Sequence, residues 1–189
     1  MNDLHHIGDT SFLENNEGEH AVRSYIRSFA HGREYVANRF IFHWHVYETQ
    51  QCVPTRQLLA EYLTHVGYQP RSAEGLGEVT VARAYDIVED MLRYDLARHE
   101  ELVTEADARL SAARLRDETT WAVLAFTNLK RSMPSMNFPL AYHGFVRVVA
   151  CENAEGGVLL VGEQDIAMIW FLDDDGPSRG MMDLKYSAS

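Results

Sequence analysis

Histidine offers both a metal ligand and a proton-transfer group near neutral pH. The segment Phe40-Ile41-Phe42-His43-Trp44-His45-Val46-Tyr47 holds two histidines one residue apart, with Glu48 and Cys52 just beyond. On a strand, residues two apart share a face, so His43 and His45 could grip one metal ion. On a helix the two would diverge by about 200°, and only His45 with Glu48 or Cys52 would share a face. The candidate ligands are therefore His43, His45, Glu48 and Cys52. We adopt the plainer reading, in which the histidines sit half-buried in an aromatic stripe and no metal or other cofactor is expected.

Other spacings were weighed in the same way. Glu17-Gly18-Glu19-His20 has the Glu-x-x-His spacing of a di-iron ligand pair, but a di-iron bundle needs a second such motif and two more glutamates. Glu61 and His65 stand four apart, as an ordinary pair on one helix face does. Asp86, Glu89 and Asp90 share a helix face, which suits a divalent cation or the positive end of a helix dipole. Asp173-Asp174-Asp175 reads as a solvated turn after a strand. The phosphate-cradling, dinucleotide, nucleophile-elbow and HExxH zinc signatures are missing. The two cysteines, Cys52 and Cys151, form no CxxC pair.

Two stretches place an arginine, five intervening residues and a histidine: Arg39 to His45, and Arg93 to His99. This spacing resembles the motif of the HEPN ribonuclease families. The resemblance implies paired helices meeting at a dimer interface, with arginine holding a phosphate and imidazole moving a proton. A second pattern lies in 54–90. Pro54 to Leu63 reads as a first helix and Val79 to Val88 as a second, followed by a long coil. This resembles the KfrA-like plasmid DNA-binding proteins and implies a helix-turn-helix head.

The elements that would position these residues were read from hydrophobic spacing. Residues 1–18 hold several acids and no base, and read as an irregular acidic arm. Val22, Ile26, Phe29, Val36, Phe40, His43 and Tyr47 recur at spacings of three, four and seven, so helix is preferred to strand through 40–47. A helix is expected over about 55–66, with Thr55 capping it and Gly67 ending it. Residues 68–78 read as a loop. Leu92, Leu96, His99, Val103, Ala106, Leu110 and Ala113 then alternate by four and three, as one long helix would. That seam, with Leu92, Leu96, Val103 and Leu110 at its centre, would close against another helix of the chain or across a homodimer. A further helix is expected over about 117–131. Pro134 and Pro139 mark a break, and strands follow at 145–149, 158–161 and 166–172, with a turn at Glu155-Gly156-Gly157. The expected fold is α+β, with a helical region over 19–131 and a linker plus small antiparallel meander over 132–189.

Charge narrows the function. The 189 residues carry 17 bases and 28 acids, net −11, which argues against a surface that coats nucleic acid or an anionic membrane. The positive stretch is Arg23, Arg27, Arg33 and Arg39, joined by histidines, and it is the candidate interaction surface alongside the helix seam. No run of 18 apolar residues is present, so no membrane span is expected. The opening residues lack a basic stretch followed by an apolar one, so no secretory signal is expected and a cytoplasmic setting follows. The first reading is a non-catalytic acidic binding factor, such as an inhibitor, an immunity or anti-defence protein, or an assembly component of a phage or mobile element. Its partner would be another protein, basic in character. The alternatives are DNA binding through 54–90 and a histidine-dependent hydrolase or metalloenzyme.

Overall fold

The computed structural model describes residues 5–7, 10–29, 39–49, 53–96, 100–131, 140–142 and 154–173. Its centre is a seven-stranded sheet whose strands come from both ends of the chain. In chain order these are β1 (His5–Ile7), β2 (Thr10–Glu14), β3 (Phe40–Thr49), β4 (Gly77–Val79), β5 (Leu124–Thr127), β8 (Ala154–Val161) and β9 (Asp165–Asp173). The spatial order is β1-β2-β3-β9-β8-β5-β4, and every pairing is antiparallel. The two remaining strands, β6 (Leu129–Arg131) and β7 (Leu140–Tyr142), pair with each other.

This overturns the expectation of a helical first two-thirds followed by a small C-terminal meander. Within the expected 1–18 arm, His5–Ile7 and Thr10–Glu14 pair as β1 and β2, residues 16–18 open α1, and β2 pairs along β3 from Thr10↔Thr49 to Glu14↔His45. Residues 40–47 are strand, because aromatic and β-branched side chains favour a pleated surface with partners on both sides. β9 supplies the second partner, from Phe40↔Phe171 to Val46↔Asp165. The piece expected as a helix over 117–131 holds only the end of a helix and then β5 and β6. The loop at 68–78 contains a 3₁₀ turn over Pro70–Gly75 and strand β4. The expected turn at Glu155-Gly156-Gly157 lies inside β8. A Cβ on Gly157 would meet the Ile169 carbonyl and Trp170, so glycine there permits close strand approach. The expected strand over 145–149 and the Pro134–Pro139 break lie outside the described residues.

Both faces of the sheet are covered, and the strand pleat divides the apolar residues between them. Val158, Leu160, Ala167, Ile169 and Phe171 join a core with helices α1 (Asn16–Phe29), α3 (Val81–Arg93) and α4 (Glu105–Glu118). Leu159, Val161, Ile166, Met168 and Trp170 join a second core with helix α2 (Thr55–His65) and the 3₁₀ turn. This explains why β9 reads as a continuous apolar run rather than an alternating one. In α2 the apolar face is Leu58, Leu59, Tyr62 and Leu63, all buried. The helix starts after Pro54 with no side-chain cap, so Thr55 does not play the capping role expected of it. It ends as expected at Gly67, whose φ of 94° suits glycine. There the Tyr68 N–H bonds the Leu63 carbonyl at 2.7 Å, closing the last turn.

The single long helix is two. Thr80 caps α3 by accepting from the Arg83 N–H, and Thr104 caps α4 by accepting from the Asp107 N–H, each at 3.2 Å. Between them the chain reverses, with the Leu102 N–H on the Arg93 carbonyl at 2.7 Å. Leu92 and Leu96 are buried within the chain's own core, while Leu110 is 64% exposed. Val103 packs at the margin of that core, and His99 lies outside the described residues. Among the described residues Leu92, Leu96 and Leu110 do not form one continuous seam. The capping signal Thr104-Glu105-Ala106-Asp107 was present in the sequence and marks the break.

Two buried charges lock the end of α3 to the sheet. Arg39, just before β3, forms an ion pair with Asp173 at the end of β9. The same guanidinium donates to the carbonyls of Met91 and Tyr94, and the Asp173 carboxylate accepts from the Leu96 N–H at 2.6 Å. Arg39 is thus a core residue rather than a docking cation, and Asp173 is not part of a solvated turn.

Candidate functional site

β3 presents its two histidines to the α2 face. His43 and His45 lie two apart on the strand, with ring centroids 6.2 Å from each other. α2 adds His65, whose ring is 4.8 Å from His45, and Tyr62, whose ring is 5.5 Å away. Phe12 of β2 closes the cluster, 5.2 Å from His65 and 5.4 Å from Tyr62. The Tyr62 hydroxyl lies 3.5 Å from both the His43 carbonyl and the His45 Nδ1. Burial, aided by the neighbouring His65 and His43, lowers the His45 pKa from 6.5 to about 4. Burial likewise pushes the Tyr62 hydroxyl well above its usual range.

The strand geometry brings His43 and His45 onto one face but sends Glu48 to the other, where it is exposed. Cys52 lies outside the described residues. Among the described residues no three histidine, cysteine or carboxylate groups converge as ligands, so His43 and His45 are not assigned to a metal. His45 is buried among aromatic rings. Sequence spacing could not have found His65, because its approach depends on how α2 crosses the sheet.

Of the four arginines expected to form a basic surface, Arg39 is buried in the core and Arg23 lies against β3. α1 runs along the part of β3 that β2 leaves unpaired, and its polar side chains take over the edge. Arg23 donates to the Phe42 carbonyl at 3.0 Å and pairs with Glu19 at 2.7 Å. The Asn15 N–H bonds the Trp44 carbonyl at 2.7 Å, and the Trp44 N–H donates to Glu19 at 3.4 Å. Burial raises the Glu19 pKa, but the hydrogen bond from His43 and the charge of Arg23 outweigh it and hold the carboxyl below its usual value. Arg23 therefore finishes a strand edge that would otherwise be open. Replacing it with alanine should cost about 1–2 kcal/mol through the carbonyl left without its donor, read as a lower denaturation midpoint. The side chain of Arg27 and the whole of Arg33 lie outside the described residues.

The other sequence candidates also separate. Arg39 and His45 sit on or beside a strand, not on the paired helices that the ribonuclease resemblance implies. Arg93 joins an exposed ion-pair chain with Glu101 and Glu105, at 2.9 and 2.8 Å. The expected helix-turn-helix is not formed, because α2 and α3 pack on opposite faces of the sheet. Asp86 faces Arg83 and Glu89 faces Arg109, both at 3.4 Å. Burial pushes the third acid of that group, Asp90, above the usual carboxylate range.

A surface missed by sequence reading lies at the β8–β9 turn end of the sheet, on the α1 face. Leu13, Val46 and Asp165 are register partners across three strands and share that face with Trp44. The Trp44 indole packs on Trp121, with centroids 5.5 Å apart, and donates its N–H to Asp165 at 2.9 Å. Val123, just before β5, is bonded through its N–H to the Val161 carbonyl at 2.9 Å, on the far side of β9 and β8 from Leu13 and Val46. Leu13 is 44% and Val123 is 63% exposed, two of the three large apolar side chains open to water among the described residues. Exposed Glu17, Glu48 and Glu163 occupy the neighbouring surface, and among the described residues no base pairs with them. The acids are felt inside: burial first, then Asp165 and Glu163, raise the Tyr47 pKa. A scan against protein-family models and searches of the curated proteins and of the solved structures found no match. No described helix is long and apolar enough to cross a membrane.

Proposed function

We propose that this protein is a non-catalytic binding factor that takes a basic partner protein on the surface around Trp44 and Trp121. The observation that carries the reading is the pairing of exposed apolar side chains, Leu13 and Val123, with carboxylates that no described base neutralises. Apolar groups supply contact area, and a ring of acids selects a basic partner and speeds its approach. The net charge of −11 supports the same partner class. The work would be done in the cytoplasm, as an inhibitor, immunity, anti-defence or assembly factor.

The test is affinity capture from the native host with three baits: the natural protein, Val123→Arg and Glu48→Lys/Glu163→Lys. The expected result is one stoichiometric basic protein on the natural bait, released by raised salt and lost from both variants. Retention of the same protein by both variants would place the interface elsewhere. Recovery of nucleic acid in place of a protein would replace this reading with a DNA-binding one.

A further inference from the structure

The centre of the histidine cluster is a poor place for a charge. His45 is only 2% exposed, with an imidazole on either side: His43 along β3 and His65 from α2. The remaining neighbours are Phe12 from β2, Tyr62 from α2 and the register partner Ile166 from β9. Among the described residues no carboxylate touches it, and the charge of Glu19, which favours the protonated ring, is outweighed by burial and the two imidazoles. Glu14, its register partner on β2, is exposed to water, and Glu19 from α1 reaches His43, with 3.8 Å between them. Tyr47, two residues along β3, is bound to the Gly162 carbonyl at 2.9 Å. On α2, Glu61 Oε1 accepts from Gln57 at 2.8 Å, and its Oε2 is buried with no hydrogen-bond partner among the described residues. A proton on His45 would therefore sit between two imidazoles, inside an aromatic shell, with no counter-ion in contact among the described residues.

The location matters because α2 is the main cover of this face. Its Leu58, Leu59, Tyr62 and Leu63 close the core that contains Met168 and Trp170. Two members of the cluster, Tyr62 and His65, belong to α2, while His43 and His45 belong to the sheet.

We propose that His43, His45 and His65 form an acid-sensitive latch: α2 stays seated on the sheet while the buried His45 is uncharged, and its protonation releases the helix. Seated, His45 takes a proton only at about pH 4, and its ordinary value is 6.5. Lifting α2 returns the ring to water and towards that ordinary value, so between the two the open state binds more protons than the closed one. Opening is then favoured as pH falls through this window and is insensitive to His45 above it. The opening constant rises by up to about tenfold per pH unit there, roughly 300-fold across the window. Opening uncovers Phe12, Met168 and Trp170.

Hydrogen exchange of the full-length protein from pH 7.5 to 4.5, corrected for intrinsic exchange rates, tests the latch. The amides of α2 should open with the stated slope, and those of α3 should not. In His45→Phe, which keeps an aromatic ring without the titration, the α2 slope should vanish. An α2 slope unchanged in that variant, or α2 and α3 opening together in the natural protein, would overturn the latch. A second measurement needs no variant. An NMR titration of the natural protein should place the His45 ring midpoint far below that of an exposed histidine, and an ordinary midpoint would overturn the proposal.

Discussion

Replacing Arg39 with alanine is expected to destabilise the protein by about 3–5 kcal/mol, measured as a loss of unfolding free energy in denaturant. The guanidinium holds Asp173 and caps the carbonyls of Met91 and Tyr94, all away from water. Its removal leaves a buried carboxylate without its cation and takes a donor from each of the Met91 and Tyr94 carbonyls. Desolvation makes such an orphaned charge far costlier than the net worth of the intact pair. Asp173→Ala should cost a similar amount, since it also strands the Leu96 N–H. The double variant Arg39→Met/Asp173→Leu should lose much less than the sum of the two, because no charge then stays buried. Total stabilities of domains lie near 5–15 kcal/mol, so either single variant should sit close to unfolding at 37 °C. A loss below about 1 kcal/mol for Arg39→Ala would mean that the pair is solvated.

Leu92→Ala and Leu110→Ala should behave very differently, although the heptad places both in one seam. Leu92 is buried in the core shared by α3, α4 and the sheet, and its truncation should cost about 2–5 kcal/mol. Leu110 is largely exposed on α4, and its loss should stay within about 0.5 kcal/mol. The cost at Leu92 should not depend on protein concentration, because the residue packs within one chain. Equal losses at the two positions, or a concentration-dependent loss at Leu92, would restore the continuous seam and its dimer.

What could be read in advance came from features local in sequence. α2 was legible because its whole signal, Pro54, the 58-59-62-63 apolar face and Gly67, lies within fourteen residues. The strand character of 158–161 and 166–172 was legible because unbroken apolar runs of that length, separated by a short polar link, leave few alternatives. The acidic balance and the missing catalytic signatures are properties of composition and spacing, and no fold changes them.

What tertiary structure decided were the cases in which local preference was close to balanced. Residues 40–47 satisfy both a helical stripe and strand propensity. The choice falls to β9, more than a hundred residues away, whose pairing satisfies the backbone of β3 along nearly its whole length. Once β3 is a strand, His43 and His45 face α2, Glu48 faces away and Arg39 drops into the core beside Asp173. Thr10–Glu14 has little apolar content of its own and becomes a strand because β3 offers it an edge. The 3-4 spacing from Leu92 to Leu110 survives by coincidence across a chain reversal, since capping by Thr104 and burial of Leu96 outweigh continuation of the helix. The surface around Trp44 and Trp121 has no sequence signature at all. It is assembled from β2, β3, β9 and the approach to β5, and only the sheet's register brings these segments side by side.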